Sequence, residues 1–191
     1  MFEEKITHYD PSASDEFIPL PKGNYKARIH AFDFKKTWTN NDNQVADIYE
    51  ATYKLDPSVS EMTLRDENGK EFDGNQFTSR EVRSKGLFLW KSPGKGDSFV
   101  TNPAGNKRIF IFLKSVGYPL NKKEVENEKG VKVNVVEIPE VIDESQFMGA
   151  PVLIEVMHEE YKGKYYAKEH KISKWENAPE VEVNEDDDVP F

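Results

Sequence analysis

From Tyr25 the chain alternates apolar and polar side chains with the period of two that marks a strand buried on one face. Tyr25, Ala27, Ile29 and Ala31 fall on the inner face, and Lys26, Arg28, His30 and Phe32 on the outer one. The polar run Asn40-Asn41-Asp42-Asn43 predicts a turn into a second strand over 45–55, where Val45, Tyr49, Ala51, Tyr53 and Leu55 share a face. Residues 56–79 read as a polar connection holding a small hairpin about Asn68-Gly69, a pair suited to a type I′ turn. A third strand is expected over 82–91, with Leu87 and Leu89 on one face, Phe88 and Trp90 on the other, and both faces apolar.

The period then changes. Ile109, Phe112, Leu113 and Val116 recur at helical spacing, Asn102 suits the N-cap and Pro103 the first turn, and Gly117 with Pro119 stops the helix, so 103–116 is predicted helical. A polar Lys/Glu-rich stretch (122–130) and an extended piece (131–138) follow. Two more strands, 152–158 and 165–172, are joined across Lys162-Gly163. The order strand, strand, strand, helix, strand, strand predicts a mainly β domain with one α-helix, an OB-fold: a five-stranded β-barrel with long loop insertions, whose groove commonly binds oligonucleotides. The expected organisation is an N-terminal arm (1–22), the barrel (23–174) and an acidic tail (175–191). No internal repeat or second core is evident. The connections 56–79 and 118–150 depart most from a minimal barrel, and they are expected to clamp a ligand or mediate self-association.

Composition narrows the class. The longest apolar runs, 87–90 and 109–113, are too short to span a bilayer, and the N-terminus lacks the basic and apolar regions of a signal peptide. The chain has no cysteine, which excludes disulfides and thiolate metal sites and fits a reducing cytoplasm. The net charge of −9 is unevenly divided along the chain. Residues 1–174 carry all 26 Lys and Arg against 28 of the 35 acids, a net of −2; the other seven acids lie in 175–191. Within the body, 79–108 carry a local +5 and 161–174 a local +4. Such patches matter more than the total, because phosphate contacts act within about a Debye length, roughly 10 Å.

Residues 175–191 hold Glu176, Glu180, Glu182, Glu185, Asp186, Asp187 and Asp188, no basic residue, and two prolines. Such a segment repels itself and has little to bury, so it is expected to be disordered when free. Its last six residues, Asp186, Asp187, Asp188, Val189, Pro190 and Phe191, end on a ring and an α-carboxylate that one partner can take together. This ending resembles the Asp-Asp-Asp-Ile-Pro-Phe tip of bacterial single-stranded DNA-binding proteins, with Val189 where Ile is usual. The body is more similar to the divergent single-stranded DNA-binding proteins of tailed phages, and 17–27 (FIPLPKGNYKA) resembles the opening of small phage replication-module proteins. The resemblance implies a protein that coats and protects single strands in phage DNA replication, recombination and repair, in the cytoplasm of the infected bacterial cell. It further implies that the tip recruits a helicase, primase, polymerase or nuclease. It also implies that the tail competes with DNA for the basic groove.

Catalytic chemistry finds little purchase. His8, His30, His158 and His170 are scattered, and the glycines of 92–98 lack the spacing of a phosphate loop, so no metal, cofactor or catalytic residue is expected. Positive charge interleaved with aromatic rings is the stronger signal, since sequence-tolerant binding of single strands needs cations for phosphates and flat rings for bases. Three segments combine them: Lys26, Arg28, Phe32, Lys35, Lys36 and Trp38; then Arg83, Lys85, Phe88, Trp90 and Lys91; then Tyr161, Lys164, Tyr165, Tyr166 and Lys168. Any one of these rings is as readily explained as core, because strands use aromatics for packing; Trp38 and Trp90, beside exposed lysines, are the leading stacking candidates. The expected function is sequence-independent binding of single-stranded DNA. The alternatives are a protein-interaction adaptor with an OB-like barrel and a metal-dependent nuclease.

Overall fold

The computed structural model describes residues 17–91, 103–127 and 129–179. Its strands are β1 (Gly23–Thr39), β2 (Val45–Leu55), β3 (Thr63–Arg65), β4 (Glu71–Asp73), β5 (Glu81–Ser84), β6 (Leu87–Trp90), β7 (Asn121–Glu126), β8 (Lys132–Glu137), β9 (Pro151–Tyr161) and β10 (Lys164–Lys174). The helix α1 spans Pro103–Ser115, between β6 and β7. No helix among the described residues is long and apolar enough to cross a membrane.

The chain is mainly β, and its main sheet closes on itself. β1 pairs with β9 over residues 23–28 and with β2 over residues 27–39; β2 pairs with β5 and β6, β5 with β10, and β10 with β9. The cycle β1-β2-β5-β10-β9 returns to β1, and β5–β10 is its one parallel joint. β3–β4 and β7–β8 are separate two-stranded hairpins, and they occupy the two long connections. The polar Lys/Glu-rich stretch 122–130 supplies most of β7 and the turn of the second hairpin. It shows no apolar alternation because neither face of β7 is fully buried.

Two bulges decide which way β1 points its side chains. The register with β2 slips by one residue at His30 and again at Lys35. Each extra residue reverses the alternation of inner and outer faces. Tyr25, Ala27 and Ile29 point inward before the first bulge, and Lys36 and Trp38 point outward after the second, as simple alternation predicts. Phe32 lies between the two and is turned in. This corrects its expected place on the outer face: it is 5% exposed and packs among Tyr49, Phe112 and Phe147, with centroids 5.0–5.2 Å away.

The core inside the ring continues with Ala51, Tyr53 and Leu55 of β2, Val82, Leu87 and Leu89 of β5 and β6, and Val152, Ile154 and Val156 of β9. Helix α1 lays Ile109, Phe112 and Leu113 over it, and Val116 follows. The helix stops as Gly117 (φ +76°) adopts a left-handed conformation, letting Tyr118 N–H reach the Leu113 carbonyl (2.9 Å) and Gly117 N–H the Lys114 carbonyl (3.2 Å). A carboxylate enters the core, beside the buried Ser84 hydroxyl that accepts from Ala51 N–H. Glu169 of β10 is 1% exposed, accepts from Arg108 of α1 at 2.9 Å and from the Tyr53 hydroxyl at 3.3 Å, and burial pushes its carboxyl above the usual range.

Three hairpins turn by one device. Asn40, Asp66 and Asn127 each accept with a side-chain oxygen from the backbone N–H two and four residues on, and Asn43, Gly69 and Gly130 take the left-handed position. Asn68-Gly69 therefore does not form the two-residue type I′ turn its sequence suggests. Asp66 N–H and carbonyl both close the loop one residue earlier, leaving Gly69 as the left-handed residue. The two-residue turn is at Lys162-Gly163 (φ +53° and +74°), between paired Tyr161 and Lys164.

Candidate nucleic-acid interface

On the outside of the ring, cross-strand pairing sets side chains in rows. One row is Lys36 (β1), Ile48 (β2) and Phe88 (β6); the next is Trp38, Ala46 and Trp90. Ala46 is small enough to disappear beneath its neighbours and is fully buried, and the two indoles meet at a centroid distance of 5.6 Å and an interplanar angle of 69°. Phe88 stacks on Trp90 at 6.2 Å and 17°. With Gly105 of α1 these residues line an open cleft of about 460 Å³. The Trp90 backbone is fixed from behind: its backbone N–H donates to Asn106 Oδ1 (2.8 Å), and Asn106 Nδ2 donates to its carbonyl (3.5 Å). Trp38, 40% exposed, remains the open face of the cluster.

Beyond this platform the outer face becomes charged. Thr52, Arg83 and Lys168 form a cross-strand row over β2, β5 and β10. Glu50, the next outward residue of β2, gathers the cations: Lys35 lies 3.3 Å from its carboxylate, Lys168 3.7 Å and Arg83 3.9 Å. Lys85 pairs with Glu159 of β9 at 2.6 Å. Lys36 and Lys164 have no ion-pair partner among the described residues. Tyr166 and Tyr161 extend the outward face along the β9–β10 hairpin and are exposed. One continuous outer surface thus runs from an aromatic cleft through a cationic centre to exposed tyrosines.

Most of the residues singled out in the sequence fall on this surface: Lys35, Lys36, Trp38, Arg83, Lys85, Phe88, Trp90, Tyr161, Lys164, Tyr166 and Lys168. The others do not. Phe32 is core. Lys26 and Arg28 point outward, but from the half of β1 paired with β9, where their cationic heads lie over the Trp175 ring at 5.1 and 5.6 Å. Tyr165 has the opposite facing to Tyr166 and lies near His158, at 6.4 Å. Lys91 is held at 2.9 Å by the buried Asp47, on the other side of β2 and β6, beside a second cleft of about 370 Å³ that Phe34 and Tyr49 share with Val141. Burial works to raise the Asp47 carboxyl, but the Thr37 hydroxyl (2.6 Å) and the Lys91 ammonium outweigh it and hold the group below the usual range. Phe34 meets Tyr49 edge-on at 5.7 Å and is exposed.

Sequence reasoning missed Glu50. Its signal was the outward position on β2, two residues after Ile48, facing segments rich in lysine and arginine. The tip, residues 186–191, lies outside the described residues. Among the described residues no three His, Asp or Glu side chains converge in a metal-binding group. Compared with models of known protein families and with curated proteins, the chain matches none.

Proposed function

We propose that the closed ring is an OB-fold and that its outer face binds single-stranded DNA without sequence preference, coating and protecting it during phage replication and recombination. Three features support the fold reading: the cyclic order first-second-third-fifth-fourth, with β5 and β6 together as the third strand; the parallel joint between third and fifth; and the helix between third and fourth. The observation that carries the function is the juxtaposition of the Trp38, Phe88 and Trp90 rings with Lys36 and the Arg83–Lys168 row on one surface. Bases stack on exposed rings with about 1–3 kcal/mol each, whatever their identity, while the cations track the backbone. Lysine predominance suits this, because an ammonium meets phosphate as a point charge without reading base edges. No reaction is catalysed and no cofactor is required.

In this reading residues 186–191 recruit replication proteins, as the resemblance of Asp-Asp-Asp-Val-Pro-Phe implies. Ultraviolet cross-linking of the intact chain to oligo-dT, followed by peptide mapping, tests the interface. Adducts on Trp38, Phe88, Trp90 or Tyr166 are expected. Adducts confined to the β7–β8 hairpin, or none at all, would overturn it.

A further inference from the structure

The β7–β8 hairpin is a sheet of its own, and neither of its strands pairs with a third among the described residues. Asn127 N–H donates to the Val131 carbonyl at 2.9 Å, and the alternation of an antiparallel ladder then points the backbone N–H and C=O of Lys122, Glu124 and Glu126 away from β8. These three residues are exposed, and those backbone groups take no hydrogen bond among the described residues. An open edge of this kind is a template for another strand. Its charges are ordered too. Glu124 is held by Lys132 at 2.9 Å, and Lys123 lies 3.6 Å from Glu137. Lys122 and Glu126, on the same face of β7 as Glu124, have no ion-pair partner among the described residues.

We infer that β7 pairs antiparallel with β7 of a second copy, about a two-fold axis at Glu124. Lys122 of each copy then stands opposite Glu126 of the other, and the outward backbone groups of all three residues find partners. Glu124 meets its own counterpart at the axis, where each carboxylate keeps Lys132 beside it. Other arrangements fit less well. Moving the axis one residue back sets Lys123 against itself, and one residue forward sets Glu124 against Glu126. The outer edge of β8 offers Lys132, Asn134 and Val136, of which only Lys132 is charged, and Glu124 already engages it. The pairing joins two hairpins, each marginal as a two-stranded sheet, into one continuous sheet. An interface one strand wide is small, so association is weak in free solution. This inference stands apart from the DNA-binding reading, and its test needs no nucleic acid.

Sedimentation velocity of the full chain, over a range of concentrations at low salt, reads the association. A reversible monomer–dimer equilibrium is expected for the natural chain. Lys122→Glu and Glu126→Lys should each weaken it roughly tenfold or more, since both opposed pairs become like charges. An equimolar mixture of these two variants should associate again, because both opposed pairs of the mixed dimer are once more opposite in charge. The doubly substituted chain, which restores the match within one sequence, should associate as the natural one does. A natural chain that is monomeric at every concentration, single variants that associate as well as it does, or a mixture and a double variant that stay monomeric would overturn the inference.

Discussion

Trp38 and Trp90 stand on strands that do not touch, yet their rings meet at 5.6 Å because the strand between them carries Ala46 at the shared row. The pair costs the outer face of the sheet an exposed apolar cleft, which core packing does not require. On this account it is a stacking platform. Trp38→Ala and Trp90→Ala should each weaken oligo-dT binding by about 1–3 kcal/mol, roughly 5- to 150-fold. Trp38→Ala should leave the melting temperature nearly unchanged, since that ring is exposed. Fluorescence or anisotropy titration beside thermal melts checks both parts.

Glu50 sits among Lys35, Arg83 and Lys168, and on the proposed function it holds the place a phosphate would take. Glu50→Gln should tighten binding at low salt, by roughly fivefold if the lost repulsion is near the 1 kcal/mol of two charges 4 Å apart in water. Arg83→Ala should do the reverse and reduce the salt slope by about 0.7, the value of one phosphate contact on a single strand. Titrations at several salt concentrations separate these effects. Weaker binding by Glu50→Gln would indicate that the carboxylate orders the cations more than it competes.

Glu169 gives the fold a pH signature. Burial raises its carboxyl, and Arg108 and Tyr53 offset only part of that. The folded state therefore holds this proton more tightly than the unfolded chain. The stability it contributes is full below the ordinary glutamate range and is lost as pH rises through its raised value. Urea unfolding at stepped pH should show the stability of the natural chain falling relative to Glu169→Gln over that interval. A natural chain that gains stability relative to Glu169→Gln as pH rises would contradict the assignment. Arg108→Met, which strands the carboxylate, should cost about 3 kcal/mol near neutral pH.

Gly74 tests the packing of the connection between β2 and β5. A Cβ there would lie 1.9 Å from the Val59 carbonyl oxygen and 2.7 Å from that of Met62, so backbone must move. Gly74→Ala should destabilise by about 1–3 kcal/mol while the folded fraction keeps its affinity for oligo-dT. Chemical denaturation and titration of the same sample measure the two separately.

Much of this was legible in the chain because local rules and tertiary structure agreed. The 3.6-residue spacing of Ile109, Phe112, Leu113 and Val116 marked the helix, and all four are buried. The bounds of β2 followed from its flanking polar turn and its alternation. Phe32 was misread because a bulge is a matter of register, and nothing in the composition around His30 announces one. Lys26 and Arg28 were grouped with Lys36 and Trp38 because they share a strand. Sequence does not record that a long strand leaves one neighbour for another and carries its two ends to different walls. Trp175 was assigned to the tail for its acidic neighbours, yet two cations over its ring and the Arg28 bridge to Pro179 hold it to the domain.

Whether the outer face carrying Trp38, Phe88, Trp90, Arg83 and Lys168 binds single-stranded DNA, as proposed, is decided by one titration. Tryptophan fluorescence of the full chain is followed as oligo-dT is added at several salt concentrations, with duplex DNA of the same length as control. Saturable quenching by the single strand, a logarithm of affinity that falls linearly with the logarithm of salt concentration, and much weaker binding to duplex are the expected results. No quenching and no binding at low salt, or equal affinity for duplex, would contradict it.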